Sequence, residues 1–300
     1  MSNGCLQLKN QKIGLGSVQW GLQYGVSNTS GKTPAVEITS ILNSALAHGV
    51  RTIDTACLYG DSETKLGHQK LGAFQIVSKT PHCGSITDAE TAYNFLNCAI
   101  RQSLRKLQIS KLYGYMVHHA DDLLGPQGPQ ITGALRQLKE QGLVDKVGVS
   151  VYRKEQLDTI TAFFVPDLIQ VPVNVMDQRL IKNGTLKKMK DLGVEIHARS
   201  AYLQGLLLMP LSQVPNYFTP VLPLLNRWHQ RCRAQHLSPA QAAIAFISNI
   251  SEIDQIIIGV ENTQQFEQAI RFNQDIPSFD ATGLDCDDTS FIDPSFWKLK

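Results

Sequence analysis

The chain has 300 residues, 43% of them hydrophobic and 18% charged, a composition that supports a globular fold with a sizeable core. The formal net charge is +2, from 28 basic and 26 acidic residues, so no strong field draws it to nucleic acid or anionic lipid. No apolar run is long enough for a membrane span, and Met1 to Asn10 lack the apolar core of a secretory signal, so a cytoplasmic location is expected.

Short apolar runs alternate with longer helical patterns, and no low-complexity tract or Pro/Gly/Ser-rich linker divides the chain. Strands are predicted at residues 13–17, 52–55, 74–79, 112–118, 146–150, 168–171, 195–198 and 255–259. Each is short, apolar and often β-branched, as strands buried on both faces are. Residues 35–48 set Ile38, Ile41, Leu42, Ala45 and Leu46 on one helical stripe, and residues 89–107 do the same with Phe95, Cys98, Leu104 and Leu107. A helix over 132–141 stops at Gly142. Ser238-Pro239 opens another over 240–248, with serine at the cap and proline in the first turn. Eight strands alternating with helices indicate an α/β fold, a single-domain (β/α)8 TIM barrel over residues 1–300. An extra helix before the last helix pair and a C-terminal tail from Asn273 complete it. The alternative is an open doubly wound sheet. Its glycine loop fits poorly, because Gly14-Leu15-Gly16 lacks a third glycine in place and leads into no predicted helix.

Function in a parallel barrel gathers at the C-terminal ends of the strands. The second strand runs into Asp54-Thr55-Ala56-Cys57-Leu58-Tyr59, the third ends at Lys79, and the fourth ends at His118-His119. Carbonyl reduction needs such a set. Hydride attack builds negative charge on oxygen, and a proton must arrive there. A free tyrosine, with a pKa of about 10, is a weak acid–base partner near neutrality. A lysine ammonium beside it is expected to favour the phenolate. Asp54 would fix the lysine, and His118 would hydrogen-bond and orient the carbonyl. Taken singly, each residue has an ordinary reading: a loop cap, a half-buried aromatic, a surface charge, a core histidine. Their arrival on consecutive strand ends is what argues for chemistry.

The stretch Ile53-Asp54-Thr55-Ala-x-x-Tyr59-Gly60-x-Ser62-Glu63 resembles the signature of aldo-keto reductases. Leu15-Gly16-Ser17, Val147-Gly148-Val149-Ser150, Ile169-Gln170 and Ile257-Ile258-Gly259 resemble further strand ends of that family, so the resemblance covers nearly the whole chain. It implies a catalytic tetrad of Asp54, Tyr59, Lys79 and His118. It also implies NADPH or NADH as cofactor, with Gly16 and Ser17 beside it and Ser150 and Gln170 at the nicotinamide carboxamide. Residues 198–207, with Arg199, Ser200 and Gly205, would wrap the pyrophosphate, and Gly259 with Gln265 would meet the adenosine phosphate. His118-His119 with Asp121-Asp122 suggests a metal site, but adjacent strand residues face opposite ways, and no metal is expected. The scattered cysteines Cys5, Cys57, Cys83, Cys98, Cys232 and Cys286 show no zinc spacing and are expected to be reduced.

The chain departs from the family's pattern in three places. Val151 stands where many members have asparagine. Arg199 stands where an aromatic ring usually stacks on the nicotinamide; its cation would disfavour the oxidised cofactor, or it turns away to an anionic substrate or phosphate. Glu261 stands near Gly259 and Gln265 where NADPH-preferring members often carry lysine or arginine, which favours NADH or dual use, although Arg271 could admit NADPH. Pocket candidates are Val18, Trp20, Tyr24, His119, Tyr152 and Arg199, and Phe296 or Trp297 is expected to dock the tail. The runs Gln178-Arg179-Leu180 and Arg199-Ser200-x-x-Leu203-Gln204-Gly205 resemble a bacterial branch tied to sugar or polysaccharide metabolism, implying a small, polar, sugar-like carbonyl substrate with or without an anionic group. Two other readings stay open: a cofactor-binding regulatory partner with slow turnover, and a non-redox lyase or epimerase using Tyr59 and Lys79 as acid and base.

Overall fold

The computed structural model describes residues 12–84, 86–271 and 276–299. Cys5, the N-terminal segment read for a signal, and Asn273 at the start of the tail lie outside the described residues. Eight parallel strands close into a barrel in sequence order. They are β1 (Ile13–Gly16), β2 (Thr52–Asp54), β3 (Gln75–Lys79), β4 (Leu112–Val117), β5 (Val144–Ser150), β6 (Leu168–Pro172), β7 (Glu195–Arg199) and β8 (Gln255–Gly259). β8 closes the ring on β1, with Gly259 opposite Gly16. Differences from the predicted ends have pairing causes. β5 starts early because Val144 pairs with Leu112, and β7 runs on to Arg199 because Pro172 continues opposite it. β4 stops at Val117, so His118 and His119 both lie beyond the strand.

Helices cover the outside of the sheet. α1 (Ala35–Ala47) buries Ile38, Ile41, Leu42 and Ala45 of the predicted stripe, with Leu46 half-buried at its edge. α2 (Ser62–Gly67) follows β2. α3 (Ala89–Leu107) buries Ala92, Leu96, Ile100, Ser103, Leu104 and Leu107, whereas Cys98 is exposed. Of the expected stripe, Leu104 and Leu107 are buried and Phe95 packs on the core, while Cys98 is displaced by the series through Leu96 and Ile100, which carries more apolar area. α4 (Gly128–Glu140) ends just before Gly142, which takes φ +74°. α5 (Lys154–Thr161) and α6 (Thr185–Asp191) follow β5 and β6. α7 (Leu222–Ala234) is the extra helix expected before the last pair, α8 (Pro239–Ser248) and α9 (Thr263–Ile270). Ser238 and Gln241 cap α8 reciprocally. A single helical turn, Val18–Gly21, does follow β1, where none was predicted.

Most of the core lies between sheet and helices, while Val77, Met116 and Leu168 form a separate cluster inside the barrel. Strand side chains alternate between these two environments. Towards the C-terminal ends of the strands, the positions facing the barrel axis therefore include Gly16, Asp54, Lys79, Ser150, Gln170, Arg199 and Gly259, one ring of functional candidates above an apolar plug. At the other end of the barrel Glu195 pairs with Lys146 and accepts from Tyr113 Oη at 2.7 Å, with His197 Nε2 at 2.6 Å. In the tail, Trp297 packs edge-on to Phe218 at 4.8 Å and donates Nε1–H to Phe291 O, while Phe296 is exposed. Among the described residues no helix is long and apolar enough to cross a membrane, and Cys57, Cys83, Cys98, Cys232 and Cys286 all carry free thiols.

Candidate active site

After β2 the chain turns through Tyr59 into α2. Tyr59 N–H donates to Ala56 O at 3.0 Å, and Ser62 N–H donates to Tyr59 O at 3.1 Å. Gly60 takes φ +57°, a region glycine enters freely. This turn lies against Gly21: a Cβ on Gly21 would fall 1.7 Å from Tyr59 O, and one on Gly60 would fall 2.4 Å from Gly21 O. Two glycines from separate loops thus fix where the Tyr59 ring stands. No residue pattern marks them as partners, because the contact depends on how the barrel closes.

Lys79 is buried, and its ammonium is committed. It donates to Asp54 Oδ1 at 2.6 Å, Asp54 Oδ2 at 2.7 Å and Thr55 O at 3.0 Å, and lies 3.4 Å from Tyr59 Oη. Gln170 Nε2 holds Asp54 from the other side at 2.7 Å. Burial holds the Tyr59 hydroxyl well above the ordinary phenol range, the Asp54 carboxylate pushes the same way, and Arg199 opposes them. The expected net lowering of this pKa beside Lys79 is therefore not found. The lysine charge is matched by Asp54 at 2.6 Å, so the phenol faces a nearly neutral pair. Tyr59 therefore stays protonated through the neutral range.

His118 stands edge-on to Tyr59, with ring centroids 5.7 Å apart, and its backbone N–H donates to Thr80 Oγ1 at 3.3 Å. Burial, reinforced by the charge of Lys79, pulls its pKa down to about 2, so the ring is neutral and able to donate to a carbonyl oxygen. Its Nδ1 is buried without a partner. His119 stacks on His118 at 4.7 Å and on the exposed His82 at 3.7 Å. The two adjacent histidines thus share one side, against the strand-alternation argument, because the strand has ended before them. Among the described residues no group of three or more His, Cys, Asp or Glu could hold a metal ion.

These residues face a cavity of about 1260 Å³. Asp54, Tyr59, His118, His119, Val18, Tyr24 and Tyr152 line it, as do Gly16, Ser150, Gln170, Arg199, Ser200, Gly205, Gly259, Gln265, Glu261 and Arg271. Two expected contacts are corrected. Ser17 is fully buried in the barrel wall, its Oγ bonded to Ser62 Oγ at 2.8 Å. Trp20 is likewise fully buried, because the helical turn after β1 carries it into the core. The sequence reading missed Gln19, which lines the cavity from the helical turn after β1, and Met209 and Gln213, which line it from a segment without regular periodicity. Arg199 lies over the Tyr152 ring at 4.0 Å and donates to Ser200 Oγ at 3.2 Å and Val151 O at 3.4 Å. The loop after β7 reaches across to the loop after β1, where Val26 N–H donates to Gln204 O at 2.9 Å. Gly205 sits so close to Ser27 that a Cβ would fall 1.9 Å from its Oγ. The tail, residues 276–299, does not line the cavity.

Known proteins fall in line with this architecture. The Aldo/keto reductase family model matches residues 12–281. The NADH-specific methylglyoxal reductase of Escherichia coli is 24% identical, the alignment covering 93% of this chain and 95% of that protein. The glyoxal reductase of Bacillus subtilis is 26% identical over 57% of this chain and 60% of its own. Among solved structures, the holo form of an aldo-keto reductase from Bacillus halodurans has a TM-score of 0.69 at 18% identity, covering 86% of this chain and 85% of that one. A glycerol dehydrogenase from Gluconobacter oxydans has a TM-score of 0.66 at 18% identity, covering 88% and 87%. The structural likenesses speak for the barrel alone. The family match spans all eight strands, and the chain belongs to the aldo/keto reductase family.

Proposed function

We propose that Tyr59 is the proton donor in the NAD(P)H-dependent reduction of an aldehyde or ketone to an alcohol, the reaction of this family. The observation that carries the assignment is the buried Lys79–Asp54 pair, 3.4 Å from the Tyr59 hydroxyl and beside a neutral His118. When bound, the nicotinamide supplies the hydride. His118 hydrogen-bonds the carbonyl oxygen and orients it. As negative charge builds there, the Tyr59 proton passes to that oxygen, and Lys79 stabilises the phenolate left behind. Asp54 and Gln170 act by holding Lys79 and each other in place.

The cavity suits a dinucleotide. Its volume of about 1260 Å³ exceeds what small ligands alone need, and the donor set is of the right kind. Ser150 offers a hydroxyl and Gln170 an amide oxygen to a carboxamide, since the Gln170 NH₂ is engaged by Asp54. The loop from Ser200 to Gly205, tied to Val26 through Gln204, is in place to cover a pyrophosphate. At Gly259, Glu261 and Gln265 we favour NADH, because a carboxylate accepts a ribose hydroxyl and repels a 2′-phosphate. The glutamines lining the cavity suit a small polar, sugar-like carbonyl compound.

Protein-bound NADH and NADPH fluorescence, followed by an aldehyde panel that includes methylglyoxal and glyoxal, tests the reading. Tyr59→Phe should lower kcat by about 10²-fold or more while NAD(P)H still binds. Reduction surviving within a few-fold would remove Tyr59 as donor. Glu261→Gln should tighten NADPH relative to NADH; an unchanged ratio would remove Glu261 from the adenosine end.

A further inference from the structure

The catalytic end of the cavity holds more positive charge than proton transfer requires. Two cations stand beside it, of which only Arg199 lines the cavity. Lys79 is matched by Asp54 through bonds of 2.6 and 2.7 Å. Arg199 has no such partner: among the described residues no carboxylate pairs with it, and its two hydrogen bonds are long and made to neutral oxygens. His118 is neutral, so one unit of positive charge is left facing the cavity. Its reach is local. Arg199 shifts the acidity of Tyr59, Tyr24, Lys79 and His118, whereas Glu261 responds to burial and to Gln265.

The guanidinium is also held in place, its Cζ 4.0 Å from the centroid of the Tyr152 ring and its nitrogens bonded to Ser200 Oγ and Val151 O. A planar fork that is already oriented and lacks a counter-charge matches a carboxylate in two parallel hydrogen bonds. It also loses little side-chain freedom on binding, because these contacts have ordered it beforehand. A purely neutral substrate would leave this charge without use in a partly buried wall, where an unpaired cation is costly.

We propose that Arg199 is a substrate-recognition residue, and that the carbonyl compounds this protein reduces carry a carboxylate which the Arg199 guanidinium binds while their carbonyl meets Tyr59 and His118. The substrate class is an oxo acid or aldehyde acid. The proposal rests on the reductase reading above and narrows it.

Matched pairs that differ in charge test it on the full-length protein: 4-carboxybenzaldehyde against methyl 4-formylbenzoate, and succinic semialdehyde against butanal. In at least one pair the acid should be preferred in kcat/KM by about 10- to 100-fold, the range of a charge-assisted hydrogen-bonded contact. Arg199→Gln should bring that ratio close to one, and Arg199→Lys should retain part of it. The ratio is taken within each variant, so a general loss of folding or activity cancels. Calorimetric titration with 4-carboxybenzyl alcohol and its methyl ester reads the same contact without turnover. Binding of the acid that depends on Arg199, with no reduction of any aldehyde, would uphold the carboxylate site and refute the reductase reading. Reduction with no preference for either acid would overturn the carboxylate site and leave the reductase reading intact. The site is overturned equally if Arg199→Gln weakens NADH binding, read by fluorescence, while the acid-to-neutral ratio stays at its wild-type value, because the guanidinium then serves the cofactor.

Discussion

Replacing Lys79 by methionine isolates the most buried ionic feature of the protein. Side-chain exposure is 1% for Lys79 and 6% for Asp54, so removing the ammonium strands a carboxylate away from water. Breaking a buried pair from one side costs about 3–5 kcal/mol. Asp54 keeps one donor, Gln170 Nε2 at 2.7 Å, and methionine keeps most of the lysine's methylene packing. Lys79→Met should therefore fall at the lower end, about 3 kcal/mol. Adding Asp54→Asn removes the stranded charge while leaving an acceptor for Gln170. Uncharged replacements of buried pairs are close to neutral, so the double variant should lose only about 1 kcal/mol. Urea unfolding of the wild type, both single variants and the double variant gives the coupling. A loss below about 1 kcal/mol for Lys79→Met, or a double variant whose loss equals the sum of the singles, would refute the reasoning.

Further outcomes follow from the same geometry. Gly60→Ala should cost about 1–3 kcal/mol and lower kcat by displacing Tyr59, whereas Gly72→Ala, where a Cβ meets nothing within 4 Å, should do neither; equal effects on unfolding and turnover would count against the loop contact. Burial alone would raise the Glu195 carboxyl, but hydrogen bonds from His197 and Lys146 outweigh it and draw its pKa from 4.5 to about 2. With the folded value the lower one, its stabilisation is complete above about pH 4.5 and lost as pH falls towards 2, so Glu195→Gln should flatten the stability–pH curve in that window. An unchanged slope there would contradict this. Trp297→Ala should lower stability by about 1–3 kcal/mol through the lost Phe218 contact and Phe291 hydrogen bond, yet leave NADH affinity within twofold; a larger affinity change, measured by fluorescence titration, would tie the tail to the cavity.

The barrel was legible because its strands are buried on both faces and written as short β-branched runs such as Gln255 to Gly259, which no helix of that length would need. Asp54, Tyr59, Lys79 and His118 were legible because strand ends are where a parallel barrel exposes polar groups. Tertiary placement was not. Trp20 reads as a pocket aromatic until the helical turn after β1 carries it into the core. Residues 203–221 fold as successive 3-10 turns separated at Pro210 and Pro215, with no period to detect, so Met209 and Gln213 gave no signal. The net acidity of Tyr59 was not legible, because sequence order places Lys79 near it but does not weigh burial or how tightly Asp54 holds the lysine.

The contact between Gly21 and Gly60 divides the surroundings of Tyr59 into two grades of evolvability. The seam has no space for a single methyl group on either side, so the position of the Tyr59 hydroxyl is shielded from drift by simple exclusion. Tyr24, Tyr152 and Gln213 reach the cavity as side chains, and their replacement changes its walls without touching the seam. A lineage can therefore trade one carbonyl compound for another by altering walls, while the chemistry stays where it is.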